Sequence, residues 1–207
     1  MSDKRKNNQK ISPRTLTSTA MLSAVAFVLM YFEISIPLMP GFIKFDFSDL
    51  PALVGAFALG PVWGVIICLI KNVLHLMVSQ SMFVGELSNF ILGAIFVITA
   101  GWIYRIHKTK KMAVTGAIVG ALIMGLVSIF SNYFVVYPVY YNFMPKDVIV
   151  AAYDAIAYDL LHIGHVTNIL QCLLVFNVPF TIIKGLIDAG ICMLIYKPLS
   201  PLLKGRA

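Results

Sequence analysis

Apolar residues run along this chain in blocks far longer than a soluble helix or strand would need, and short polar interruptions separate them. At about 20 apolar residues per crossing, the pattern predicts a first transmembrane helix over 16–36 and a loop over 37–48 whose prolines and Gly41 oppose helix continuation. A short second helix over 49–59 follows, capped by Ser48 or Asp49 ahead of Pro51. Gly60-Pro61 breaks it and opens a third helix ending at Val78; the fourth covers 85–104 and the fifth 112–136. The stretch 137–177 is mixed in polarity and carries Asp147, Asp154, Asp159, His162 and His165. Its apolar piece 166–176 is about half a span and reads as a half-inserted or cap helix on the outer side. Asn177-Val-Pro179 interrupts the pattern before a sixth span over 178–196.

Composition agrees. Of 207 residues, 59% are hydrophobic and 12% charged, and the mean hydropathy is +0.88, outside the range of soluble domains. The expected fold is an all-α integral membrane protein, six transmembrane helices in one bundle, with no space for a soluble catalytic domain. The net charge of +7 does not mark a nucleic-acid binder, because the basic residues lie in loops and tails rather than between aromatics on one face. Of the 16 Lys and Arg residues, five lie at or before Arg14, four between Arg105 and Lys111, and three between Lys197 and Arg206. By the positive-inside rule those segments are cytoplasmic, which puts both termini inside and requires an even number of spans. Residues 1–15 then form a basic cytoplasmic tail and 16–207 the membrane domain. The first apolar run is too long for a secretory signal peptide and lacks a small-residue cleavage site.

Polar residues inside apolar runs are expensive and therefore informative. With the orientation above and 1.5 Å per residue, Glu86 and Asn89 enter at the outer end of the fourth helix, Asn132 leaves at the outer end of the fifth, and Lys184 lies roughly 9 Å down the sixth. Lys71 and His75 occupy the outer half of the third helix, and the 37–48 loop adds Asp46. These positions predict a cup that opens outwards above an apolar inner half. Each residue also has a plainer reading: interfacial helix ends for Glu86 and His75, snorkelling for Lys184, a Lys71–Glu86 ion pair, and a helix-to-helix hydrogen bond for Asn132.

The motifs Phe45-Asp-Phe-Ser-Asp-Leu-Pro51, Gly60-Pro-x-x-Gly64, Ile70-Lys-Asn72, Gly85-Glu-x-x-Asn-Phe90 and Pro179-Phe-x-x-x-Lys-Gly185 resemble the substrate-binding (S) components of energy-coupling-factor vitamin transporters. Within them the chain is most similar to riboflavin-specific members, along everything but its N-terminal tail. The resemblance implies a six-helix protein that captures a vitamin near the outer face under the loop joining helices one and two. It implies partners as well: a transmembrane coupling subunit and two cytoplasmic ATPases, which bring the vitamin inwards. The family's contact to the coupling subunit uses small residues four apart on helix one, here Ala20 and Ala24. Gly116-x-x-x-Gly120 reads as internal packing.

Riboflavin has a flat apolar ring with a polar edge and a hydroxylated tail, which call for aromatic or Met walls and a few fixed donors and acceptors. Leu38, Met39, Phe45 and Phe47 can supply walls, Asn132 can donate and accept, and Lys184 can donate, with Thr181 one turn earlier on the same face. The resemblance would often place Asn at position 181. The expected riboflavin set is thus Leu38, Met39, Phe45, Asp46, Phe47, Lys71, Glu86, Asn89, Asn132, Thr181 and Lys184.

No catalytic arrangement competes, so the chain is not expected to be an enzyme or to hold a cofactor. Asp159, His162 and His165 have a metal-like spacing but lie on an outer segment, and no metal site is expected. Cys68, Cys172 and Cys192 are isolated in apolar sequence and read as inert thiols. There is no phosphate-cradling Gly-x-x-x-x-Gly-Lys motif, so energy must come from a partner or an ion gradient. A stand-alone ion-coupled secondary transporter, with Lys71 and Glu86 as a proton-linked pair, therefore stays open beside the importer subunit. The lack of inverted repeats counts against it.

Overall fold

The structure, a computed structural model, describes residues 12–79, 81 and 83–204. Most of the basic tail foreseen over 1–15, and the last three residues, lie outside the described residues. Helix α1 spans Pro13–Tyr31 and leads into a two-stranded antiparallel hairpin, β1 Ile34–Ser35 and β2 Lys44–Phe45, in which Ile34 faces Phe45 and Ser35 faces Lys44. Then come α2 (Asp49–Ala58), α3 (Pro61–His75), α4 (Val84–Ile106) and α5 (Lys110–Ser131). Gly60, with φ of 118°, makes the break that Gly-Pro predicts: an L side chain is strained there, and proline at the first helical position is pre-set for α3.

Two π turns extend the long helices. Asn132–Val136 joins α5 to α6 (Tyr137–Tyr140), so Lys110–Tyr140 is one continuous span; Leu173–Asn177 joins α8 (Ile169–Cys172) to α9 (Val178–Lys204), so Ile169–Tyr196 is another. Each π turn comes just before a proline, Pro138 or Pro179. A proline in a helix lacks an N–H and its ring collides with the carbonyl four residues back; a wider turn at that point relieves both problems without ending the helix. From Ile169 on, the 166–176 piece is therefore the start of the last long helix rather than a separate cap, and Asn177-Val-Pro179 widens the helix instead of breaking it. Between the two spans, α7 (Lys146–Ala155) and a further π turn over Ile156–Leu160 cover one end of the bundle.

Five helices are long and apolar enough to cross a membrane, α2 being a shorter apolar helix of ten residues. Of the six spans expected, five are thus long enough on their own among the described residues, and α2 is a shorter apolar helix enclosed by them. Every α2 residue from Asp49 to Phe57 is buried, and α1, α3, α4 and α9 pack around it. A methyl group added at Gly64 would lie 2.8 Å from the Ala56 Cβ and 3.0 Å from the Ala52 oxygen, so glycine is what lets α3 close on α2. Gly116 and Gly120 serve α4 against α5 in the same way, their missing side chains facing Ala100 and Phe96. A second apolar cluster, including Met39, Tyr137, Tyr153, Val166 and Phe176, lies beneath α7.

Candidate functional site

The hairpin returns the chain to the bundle so that Asp46, Ser48 and Asp49 reach the lysines of α3 and α9. Lys71, fully buried on α3, donates to Asp49 Oδ1 at 2.6 Å and to Ser48 Oγ at 2.5 Å. Lys184 on α9 donates to Asp46 Oδ2 at 2.8 Å and lies 3.5 Å from Asp49 Oδ2. Asp46 also accepts from Asn89 Nδ2 at 3.2 Å, from the Ser48 backbone N–H at 2.8 Å and from the Ser48 hydroxyl. Burial by itself raises the Asp46 carboxyl, but Lys184 and then Lys71 reverse the effect and hold it well below the ordinary carboxylate range. Asp188, one turn beyond Lys184, is fully buried near this cluster, and neither of its oxygens has a hydrogen-bond partner. A side chain at Gly93 would strike Asp49 Oδ1 at 2.6 Å, so α4 seals the cluster from the other side.

Two chambers sit beside this network. The deeper one, about 140 Å³, is lined by Asn89, Asn132, Thr181 and Lys184 together with Phe42, Tyr137, Tyr140, Asn177 and Phe180, among others. The wider one, about 440 Å³, includes Asp46, Glu86, Asn89, Gly41 and Met144 in its lining. Phe42, Lys44, Gly85, Asn89 and Tyr140 line both, so they adjoin. Asn132 Oδ1 accepts from Ser88 Oγ at 3.3 Å, which fixes its carboxamide across from α9.

The predicted residues divide sharply. Asn89, Asn132, Thr181, Lys184, Asp46 and Glu86 line one chamber or both. Lys71 lines neither, since its ammonium is spent on Asp49 and Ser48. The Lys71–Glu86 pair is not formed: Glu86 bonds His75 Nδ1 at 2.8 Å and accepts from Ser81 Oγ at 2.8 Å, because the two side chains project at different depths of the bundle. Leu38, Met39 and Phe45 face a separate, almost wholly apolar groove of about 350 Å³ on the far side of the hairpin, with Val175, Phe176, Ile183 and Ile187. Leu38 is 49% exposed there. Phe47 packs edge-on against Phe45, ring centres 4.9 Å apart, and lines none of the three cavities. The aromatic walls come instead from Phe42, Tyr137, Tyr140 and Phe180. Phe42 lies in the turn between the two strands, and the path of that turn, which hydrophobicity alone does not report, decides which of its apolar side chains meet the chambers.

Sequence reasoning also passed over Asp49, taken as a helix cap only, and Asp188, although its position four residues after Lys184 is a signal for a shared face. Asn177, in sequence only a helix interruption, lines the deeper chamber. Asp154 of α7 and His165 pair at 3.0 Å, and Asp154 also accepts from the Val166 backbone N–H at 2.7 Å. Among the described residues no group of three or more His, Cys, Asp or Glu side chains could hold a metal. Cys68, Cys172 and Cys192 are buried and unpaired. Ala20 and Ala24 are both exposed along α1, on the side away from its buried Ser18, Thr19, Ser23 and Ala26.

Comparison with known proteins bears on what this cavity holds. The family model described as "ECF transporter, substrate-specific component" matches residues 14–196. The riboflavin transporter RibU of Staphylococcus aureus (strain TCH60) is 35% identical over 205 residues, 99% of each chain. The riboflavin transporter FmnP of Bacillus subtilis (strain 168) is 30% identical over 191 residues, covering 91% of this chain and 93% of its own. A solved structure described as "Structure and mechanism of the S component of a bacterial ECF transporter" superposes with a TM-score of 0.71 at 34% identity, over 92% of this chain and 98% of the other.

Proposed function

The chain belongs to the substrate-specific component family of ECF transporters, a family of multi-pass membrane transporters, and from that premise we propose that it is the riboflavin-binding subunit of an ATP-driven importer. It captures riboflavin from the outer side and delivers it inwards with a transmembrane coupling subunit and two cytoplasmic ATPases. Both termini are cytoplasmic in this reading, as the basic tails require.

The observation that supports the ligand is the adjoining pair of chambers, walled by Phe42, Tyr137, Tyr140 and Phe180 and furnished with the side chains of Asn132, Thr181 and Lys184. A flat apolar ring fits between aromatic faces, and the few polar groups can meet its carbonyl edge and hydroxylated tail. Asp46, Glu86 and Asn89 at the wider chamber suit hydroxyls. Energy is left to partners, and the exposed Ala20 and Ala24 give a coupling helix a surface it can approach closely.

Titrating riboflavin into ligand-free, detergent-purified protein tests the proposal. Saturable quenching of flavin fluorescence is expected, with thiamine and biotin failing to compete. Saturable binding of either of those vitamins with none of riboflavin would refute the substrate assignment.

A further inference from the structure

Three buried side chains at the edge of the deep chamber form a closed hydrogen-bond ring. The Tyr153 hydroxyl donates to Asn177 Oδ1 at 2.5 Å, the Tyr137 and Tyr153 hydroxyl oxygens are 2.5 Å apart, and Asn177 Nδ2 donates to the Tyr137 oxygen at 3.4 Å. Since Tyr153 has one proton and gives it to Asn177, Tyr137 is the donor of the tyrosine pair. Every donor in the ring is then used save one, the second N–H of the Asn177 carboxamide. Turning that carboxamide over reverses the ring and again leaves one amide N–H spare.

That N–H sits in a consequential place. Asn177 and Tyr137 line the deep chamber with Thr181 and Lys184, whereas Tyr153, fully buried on α7, lines none of the three cavities. Asn177 closes one π turn and Asn132 opens the other, so each proline-driven widening sets a carboxamide on the chamber wall. An unspent donor on a buried side chain is costly unless water or a ligand takes it up. An acceptor is what it calls for, and the polar edge of a flavin ring offers two carbonyl oxygens.

Resting on the riboflavin reading above, we infer that Asn177 donates its spare amide N–H to a ring carbonyl of the bound flavin, and that Tyr153 positions it from outside the cavity. Asn177 is thereby a specificity-determining residue, able to tell a ring with a carbonyl at that edge from one without. Tyr153 is a positioning residue, which makes α7 part of the recognition apparatus.

The test uses the full-length purified protein, riboflavin, and two analogues in which sulfur replaces one or the other ring carbonyl oxygen, sulfur being a poor acceptor. The wild type should bind one analogue about tenfold or more weaker than riboflavin, the loss of one buried hydrogen bond. Asn177→Leu should bind riboflavin about tenfold to hundredfold more weakly and treat riboflavin and that analogue alike. Tyr153→Phe, which leaves the chamber lining intact, should fall between in both affinity and discrimination. If Asn177→Leu does not purify as a monodisperse species, Asn177→Ser makes the same comparison. Unchanged riboflavin affinity in the Asn177 variant, retained discrimination in it, or no discrimination by the wild type overturns the inference while riboflavin binding stands. A wild type that fails to bind riboflavin at all removes both.

Discussion

Replacing Lys71 by methionine should destabilise the protein while sparing its ligand site. The ammonium is fully buried, bonds Asp49 Oδ1 at 2.6 Å and Ser48 Oγ at 2.5 Å, and lines neither chamber. Removing one partner of a buried pair costs about 3–5 kcal/mol, because the other charge is left without compensation. Here Lys184 still lies 3.5 Å from Asp49 Oδ2, which places the loss near the low end, about 3 kcal/mol. For a chain of this size that corresponds to a fall of roughly 6–12 °C in melting temperature. The assay is thermal loss of the monodisperse peak of ligand-free protein in detergent, paired with riboflavin titration well below the transition. The riboflavin Kd should stay within about twofold of wild type, about 0.4 kcal/mol, since Lys71 lines neither chamber and Lys184 keeps its bond to Asp46. The double variant Lys71→Met with Asp49→Asn should regain most of the lost stability, because Lys184 keeps Asp46 at 2.8 Å. An unchanged melting temperature with affinity down tenfold would refute the reasoning and return Lys71 to the ligand.

Asp46→Asn should weaken the tie between hairpin and α9, at about 1.5–3 kcal/mol for a hydrogen bond to a charged group. The folded carboxyl titrates below its ordinary 3.8, so the stability it contributes is complete above that value and is lost only as pH falls through the depressed one; melting curves from pH 5 to 8 should show no Asp46-dependent slope, and a slope there would contradict the pairing. Lys184→Met and Asn132→Leu should each weaken riboflavin binding about tenfold to hundredfold, and unchanged affinity in both would move the pocket elsewhere. Replacing Ala20 and Ala24 together by Trp should leave binding intact and abolish uptake by cells, because bulky side chains hold a partner helix out of van der Waals range. Wild-type protein alone in liposomes should not accumulate riboflavin on an ion gradient; if it does, the importer-subunit proposal gives way to a secondary transporter.

Hydropathy located the long helices well, since a span must be apolar over its whole length whatever it packs against. It also pointed to one end of the bundle as the place where Asp46, Asn89, Asn132 and Lys184 meet, because intramembrane polar groups need partners. Partner choice was not legible: Lys71 and Asp49 are 22 positions apart, and only the packing of α2 inside the bundle decides that Asp49, rather than Glu86, reaches the ammonium. Nor was the continuity of Ile169–Tyr196, since proline rules describe α-helices and a π turn escapes them. Leu38, Met39 and Phe45 have the right chemistry for walls but line a third, apolar groove rather than either chamber. The Tyr137–Tyr153–Asn177 ring joins three separate elements and has no local spacing by which to be found.

The enclosed helix α2 has an electrical consequence. Ten residues at 1.5 Å each give about 15 Å of helix, half the thickness of a bilayer's hydrocarbon core, and the loop entering it brings Asp46 and Asp49 to Lys184 and Lys71 inside the bundle. If water fills the chambers down to Asp49, the wall beneath them is about as thick as this one helix, and most of the membrane voltage falls across that wall rather than across the full bilayer. Moving one unpaired charge through that wall costs about 2.3 kcal/mol for every 100 mV. Lys71 and Lys184, fixed to Asp49 and Asp46, act as bound charge, which polarises slightly but does not conduct. A wall this thin holds back ions when its charges are tied down in pairs, as Lys71 is to Asp49 and Lys184 to Asp46.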